Sequence, residues 1–170
     1  MSFKIITISR EFGSGGRFIG EQIAQKCGIE FYDKKIIEHV AKELGISEQI
    51  VANQCEYAPA GSIFSYAFVG RDITGVSLSD QIFNIQQKRI KDIAQKEPCV
   101  IVGRCADYIL SDRDDVLNVF IEGNKPEKAA RIKKLYQKSD DEVKKLLKDG
   151  DKKRSVNYRY FSDKEWGNRK

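Results

Sequence analysis

The chain has 170 residues, 41% of them hydrophobic and 32% charged, the balance of a folded globular domain and not of a disordered chain. Its apolar runs are short, as in Cys99-Val100-Ile101-Val102, far below the roughly 20 residues that span a bilayer. Met1-Ser2-Phe3 leads directly into Lys4-Ile5-Ile6-Thr7-Ile8 without a secretory pattern, so the expectation is a cytoplasmic protein with no membrane partner.

Lys4–Ser9 is β-branched and ends in polar residues, which predicts a short buried strand. Glu11-Phe12-Gly13-Ser14-Gly15-Gly16 is too glycine-rich for a helix interior, and a helical pattern starts at Arg17 and stops at Gly28. Glu30-Phe31-Tyr32 reads as a second strand, followed by Asp33 and a helix through Leu44. Ser47 suits the N-cap of another short helix. Residues 53–76 are irregular, and their rings Tyr57, Phe64, Tyr66 and Phe68 suit packing or base stacking better than a free linker. Ser77 and Asp80 fit a capping box for a helix reaching Lys96, and Pro98 precedes a third strand, Cys99–Val102. A short helix around Asp107–Leu110 and a fourth strand, Val116–Ile121, come next. Pro126 suits the first turn of a helix through Lys138. Ser139 and Glu142 form a second capping box opening a helix to Asp149, and Asp151–Phe161 is a further helical segment. Alternating strands and helices predict one α/β domain with a mainly parallel sheet between helical layers, its ligands beyond the C-terminal strand ends.

Those ends carry Ser9–Arg17, Asp33 and Gly103-Arg104. A strand, a glycine-rich loop and a helix start make an anion site, because inward-facing N–H groups and the helix terminus both favour negative charge. Arg10-Glu11-Phe12-Gly13-Ser14-Gly15-Gly16-Arg17 has that form. It departs from GxxxxGK[ST]: with Gly15 as the second glycine, Gly16 stands at the lysine position and Arg17 at the hydroxyl position. Arg10 or Arg17 is then expected to supply the charge, and Ser14 to approach a metal. The alternative is a tight turn without a ligand.

Charge is uneven along the chain. Residues 1–85 hold 8 Lys and Arg against 10 Asp and Glu, whereas residues 86–170 hold 22 against 15. The basic half points to an anionic partner, either a phosphorylated small molecule or nucleic acid. No nucleic-acid reader motif accompanies it, and Asp140, Asp141, Glu142 and Asp149 dilute it. The four cysteines form no CxxC pair, and His39 is the one histidine, so no zinc site follows.

Ile6 to Arg17, then Phe31-Tyr32-Asp33-Lys34, resembles the cytidylate kinase-like family of P-loop proteins. Val102-Gly103-Arg104-Cys105-Ala106-Asp107 and Asp151-Lys152-Lys153-Arg154, with Tyr158-Arg159-Tyr160, continue the likeness in order along the chain. The resemblance implies a three-layer P-loop NTPase-like fold with a helical lid at about 139–161, one kinase-like domain over 1–170, and ATP with Mg2+ as donor. Residue by residue, it implies that Gly13, Ser14, Gly15, Gly16, Arg17 and Arg131 hold the donor phosphates. Asp33, Arg71, Arg104 and Asp107 are placed on the acceptor side, and Ser14 or Asp33 near the metal. Arg17, Arg104, Lys152, Lys153 and Arg154 would steady the transferring phosphoryl group.

Alternatives remain open for single residues: Asp33 could cap the helix after it, and Arg104 could pair with Asp107 or Asp112. Lys34-Lys35 and Glu38-His39 stand where cytidylate kinases carry Ser-Gly and Tyr-Arg, and Cys105 replaces an acidic residue. The acceptor contacts of that enzyme are therefore absent. The family pattern also leads to a further apolar strand after Trp166, which these residues do not contain. ATP-dependent phosphoryl transfer to a nucleoside monophosphate or related small molecule is the first reading. A non-catalytic phosphate-binding module is the second, and nucleic-acid binding the third.

Overall fold

The structure, a computed structural model, describes residues 3–56 and 75–167. Four strands, β1 (Ile5–Arg10), β2 (Glu30–Tyr32), β3 (Cys99–Val102) and β4 (Val116–Ile121), form one parallel sheet in the order β2-β3-β1-β4. Among the described residues, seven helices accompany them: α1 (Gly16–Cys27), α2 (Lys34–Leu44), α3 (Glu48–Glu56), α4 (Leu78–Lys96), α5 (Ala106–Ile109), α6 (Lys125–Tyr136) and α7 (Asp140–Ser162).

All four residues of β3 are fully buried because both sheet faces are covered. Cys99 and Ile101 point to the side of α2, α3 and α4, where Ile36, Val40, Val51, Ile82 and Ile90 make the larger core. Val100 and Val102 point to the α1 side and meet Ile8 and Ala24. That side is thinner: a Cβ on Gly20 of α1 would lie 3.0 Å from both Ile8 and Val102. Burial pushes the Cys99 thiol up to about 12, the behaviour of a packing residue and not of a nucleophile. Among the described residues, no helix is long and apolar enough to cross a membrane.

The helix signals act as their chemistry requires. Ser77 Oγ accepts from the Asp80 amide, and the Ser77 hydroxyl donates to the Asp80 carboxylate at 2.6 Å. Ser139 and Glu142 complete the reciprocal box at the start of α7, and the bond from the Ser139 amide brings the Glu142 carboxyl down to about 2.

One element differs from expectation. Asp140 to Ser162 is a single helix, not two segments parted near Gly150. A mid-helix glycine costs about 1 kcal/mol in propensity. Here it admits a close approach: a Cβ on Gly150 would stand 2.7 Å from Phe12 Cγ and 2.9 Å from Phe12 Cβ. The later half of α7 packs on the body through a Phe83–Phe161 stack at 3.9 Å and the bond from Tyr158 Oη to Asp107. Gly150→Ala should therefore destabilise the protein by about 1–3 kcal/mol through overpacking. In a Phe12→Ala background the same change should become stabilising, and thermal melting of the four variants checks that reversal of sign.

Candidate functional site

At the C-terminal end of β1 the chain turns through Gly13 (φ 78°) and Gly15 (φ 86°), conformations that an L side chain would strain. Gly15 is the N-cap of α1 and has no side chain to cap it, so the first amides of that helix are left for an incoming anion. Ser14 is 7% exposed, and among the described residues its Oγ has no hydrogen-bond partner. A buried hydroxyl left without a partner at a helix start calls for an explanation, and a bound oxygen or ion would satisfy it.

Arginines gather around this loop: Arg10 and Arg17, expected to replace the missing lysine, and Arg131, which the family resemblance assigns to the donor phosphates. Arg10 runs back over Gly16 and Gly103, where added side chains would collide with it. Arg17 turns sideways, its Nε 2.9 Å from Asp33 Oδ2. The guanidinium lying across Gly15 belongs to Arg131 of α6, which donates to the Gly13 carbonyl. Arg154 of α7 donates to the Arg10 carbonyl at 3.1 Å and lies over the Phe12 ring at 5.3 Å.

Across the cavity, Asp33 is buried and holds Arg17 on one oxygen and Arg104 on the other, the latter at 3.4 Å. Its carboxylate faces these arginines and not the first turn of α2, so the capping alternative does not hold. Arg104 follows Gly103, and Gly103, Arg104 and Cys105 all have positive φ (69°, 62° and 53°). Two non-glycine residues in that region carry backbone strain. Gln86 steadies the turn, donating to the Arg104 carbonyl at 3.1 Å. The result is a guanidinium with a side-chain exposure of only 5% aimed at Asp33.

One cavity of about 570 Å³ joins the two groups, running from Asp33, Lys34 and Arg104 past Gly13, Gly15 and Arg17 to Arg131. Arg154 lines it as well, whereas Lys152 and Lys153 are exposed and lie outside its lining. Asp107 accepts from Tyr158 Oη at 2.8 Å and lines a separate cavity beside β4. Asp107 and Asp33 therefore line different cavities. Arg71, like most of the irregular stretch 53–76, lies outside the described residues.

Sequence reasoning overlooked Glu11, Lys128 and Asp151. The Lys128 ammonium sits 2.9 Å from Glu11 Oε2 and 3.4 Å from Asp151 Oδ2. Asp151 Oδ1 accepts from the Phe12 amide at 2.5 Å. Burial works to raise the Glu11 carboxyl, but hydrogen bonds from Lys128 and the Gly123 amide bring it below its ordinary value. Burial likewise opposes the Lys128 charge, and the two carboxylates outweigh it, so the ammonium is held above its ordinary value. Nothing in the local pattern separates Lys128 from the many surface lysines around it.

A parallel α/β sheet with a glycine-rich loop at a helix N-terminus, and arginines gathered on it, defines a phosphate-loop type of protein. The sequence pattern of the cytidylate kinase-like family matches residues 5–170, and the chain belongs to that family. Membership in this family suggests a nucleotide kinase-type function. Among curated proteins no match is found. Among solved structures, the chain is similar to a crystal structure of an uncharacterized protein from Eubacterium ventriosum. The two share 27% identity at a TM-score of 0.69, over 96% of this chain and 81% of that one.

Proposed function

We propose that the protein transfers the terminal phosphoryl group of ATP to a nucleoside monophosphate or a related phosphorylated small molecule. The observation that carries this reading is the single cavity with cations at both ends: Arg131 and Arg154 over the glycine loop, Arg104 and Arg17 around Asp33. Phosphoryl transfer asks chiefly for positioning and for neutralisation of spread negative charge, so a chain with one histidine suffices.

In this reading the α1 amides and Ser14 cradle donor phosphate oxygens, and Arg131 offsets their charge. Arg104, pre-aimed by Asp33, forks onto the acceptor phosphate. Arg154, over the Phe12 ring, adds a second cation on the loop side. Bound Mg2+ would supply charge neutralisation at the donor phosphates. Ser14 Oγ fits it as an orphan oxygen, since this ion takes one or two protein oxygens and keeps waters and phosphates for the rest. Asp33, already engaged by two guanidinium groups, does not fit it.

A second reading, phosphate binding without turnover, has its own support in Gly16 and Arg17, which leave the loop without its lysine and hydroxyl. A thermal-shift panel of nucleoside mono- and triphosphates with magnesium, followed by turnover assays on stabilising pairs, tells them apart. Product formation supports the kinase reading. Stabilisation by triphosphates without product supports the binding module, and no stabilisation by any nucleotide removes both.

A further inference from the structure

We propose that Lys128 is a positioning residue for phosphate recognition: it braces the glycine loop from α6, through Glu11 and Asp151, in a chain whose loop has no lysine of its own. The inference rests on the phosphate-binding reading above and adds to it the device that keeps the loop in shape.

Lys128 is 6% exposed, and its ammonium joins the two carboxylates that flank Phe12. Glu11 Oε2 also accepts from the Gly123 amide at 3.1 Å, which ties the loop to the segment after β4. Asp151 Oδ1 takes the Phe12 amide and ties the loop to α7. The next residue, Gly13, gives its carbonyl to Arg131, three residues after Lys128 and so on the same face of α6. Two cations on one helix face thus have different tasks: Lys128 is buried as a brace, and Arg131 reaches over the loop.

Close backbone approaches make the brace possible. A Cβ on Gly123 would lie 3.0 Å from Lys128 Cγ and 3.3 Å from Ser14 Cα, so the lysine stem passes close beside the loop. The cluster holds one positive charge against two negative ones, so Lys128 has no spare charge to offer a phosphate. Its part is geometric, and the attraction comes from Arg131 and Arg154. Without the ammonium, Glu11 and Asp151 would face each other as like charges and part, taking the Phe12 amide contact with them.

The test uses the full chain, with tripolyphosphate and ATP titrated calorimetrically into the parent, Lys128→Met, Lys128→Arg and the neutral triple variant Glu11→Gln/Lys128→Met/Asp151→Asn. Amide hydrogen exchange is followed at Phe12 and Gly13. Lys128→Met should lose roughly ten- to a hundredfold in tripolyphosphate affinity, the span of a charged hydrogen bond. Exchange at Phe12 and Gly13 should speed up while β3 stays protected. Lys128→Arg should restore most of the affinity. The neutral triple, which removes the repulsion and keeps the acceptors for the Phe12 and Gly123 amides, should also regain it. Parent-like affinity and loop protection in Lys128→Met would overturn the bracing role alone. A triple variant that recovers thermal stability but not affinity would overturn it in favour of direct phosphate contact. A parent chain that binds neither ligand would overturn this inference together with the phosphate reading.

Discussion

Asp33→Ala should lower the melting temperature by roughly 6–12 °C. The carboxylate stands between Arg17 and Arg104, and the Arg104 side chain is only 5% exposed. Removing one member of a buried ion pair leaves an uncompensated charge and costs about 3–5 kcal/mol. For a chain of this size, 1 kcal/mol moves the midpoint by about 2–4 °C. We take the lower end of the cost, because Arg17 is half exposed and its share is screened by solvent. The vacated position should then bind anions better than before. Adding a nucleoside monophosphate should raise the melting temperature of the variant by more than it raises that of the parent, since the phosphate gives both arginines a new partner. An unchanged midpoint, or equal ligand stabilisation in both proteins, would show that Asp33 does not hold an acceptor-phosphate clamp.

Arg131→Ala should weaken ATP binding by roughly ten- to a hundredfold, the loss of one charge-assisted contact worth about 1.5–3 kcal/mol. Its guanidinium lies across Gly15 and donates to the Gly13 carbonyl, the place a loop lysine would otherwise have to reach. Arg17→Ala should leave ATP affinity near the parent value and weaken monophosphate binding, because Arg17 faces Asp33. Calorimetric titration of both ligands into both variants separates these effects. If Arg17→Ala lost ATP and Arg131→Ala kept it, the roles of the two arginines would have to be exchanged.

Much of the fold was legible in the residues alone, because it rests on local chemistry. β3 reads as a strand buried on both faces from four consecutive apolar residues, and the structure covers both faces. Ser139 with Glu142 announces the start of α7 through a bond pattern that needs only three residues' separation. The glycine loop is equally local, and the order strand, loop, helix places it at the C-terminal edge of the sheet.

The site was legible only in part. Residue types named Arg10 and Arg17 as the cations nearest in sequence to the loop, yet proximity along the chain does not decide where a long side chain points. Gly16 and Gly103 open a slot that takes Arg10, and buried Asp33 draws Arg17 away. Arg131, which the family resemblance assigns to the donor phosphates, lies across the loop, and its direction follows from how α6 lies on Gly13. Gly150 looked like a helix stop by composition, but the ring of Phe12 against it turns the same glycine into a packing requirement within one helix. The parallel α/β frame, the capped helix starts and the glycine-rich loop are each set by neighbours a few residues apart and so are readable from local pattern. Long-range packing set how the expected cations divide, with Arg131 over the loop and Arg17 against Asp33, and it brought Glu11, Lys128 and Asp151 into one cluster. Those partners lie more than a hundred residues apart between Glu11 and Lys128, and only the packing of α6 and α7 on the sheet brings them within a hydrogen bond.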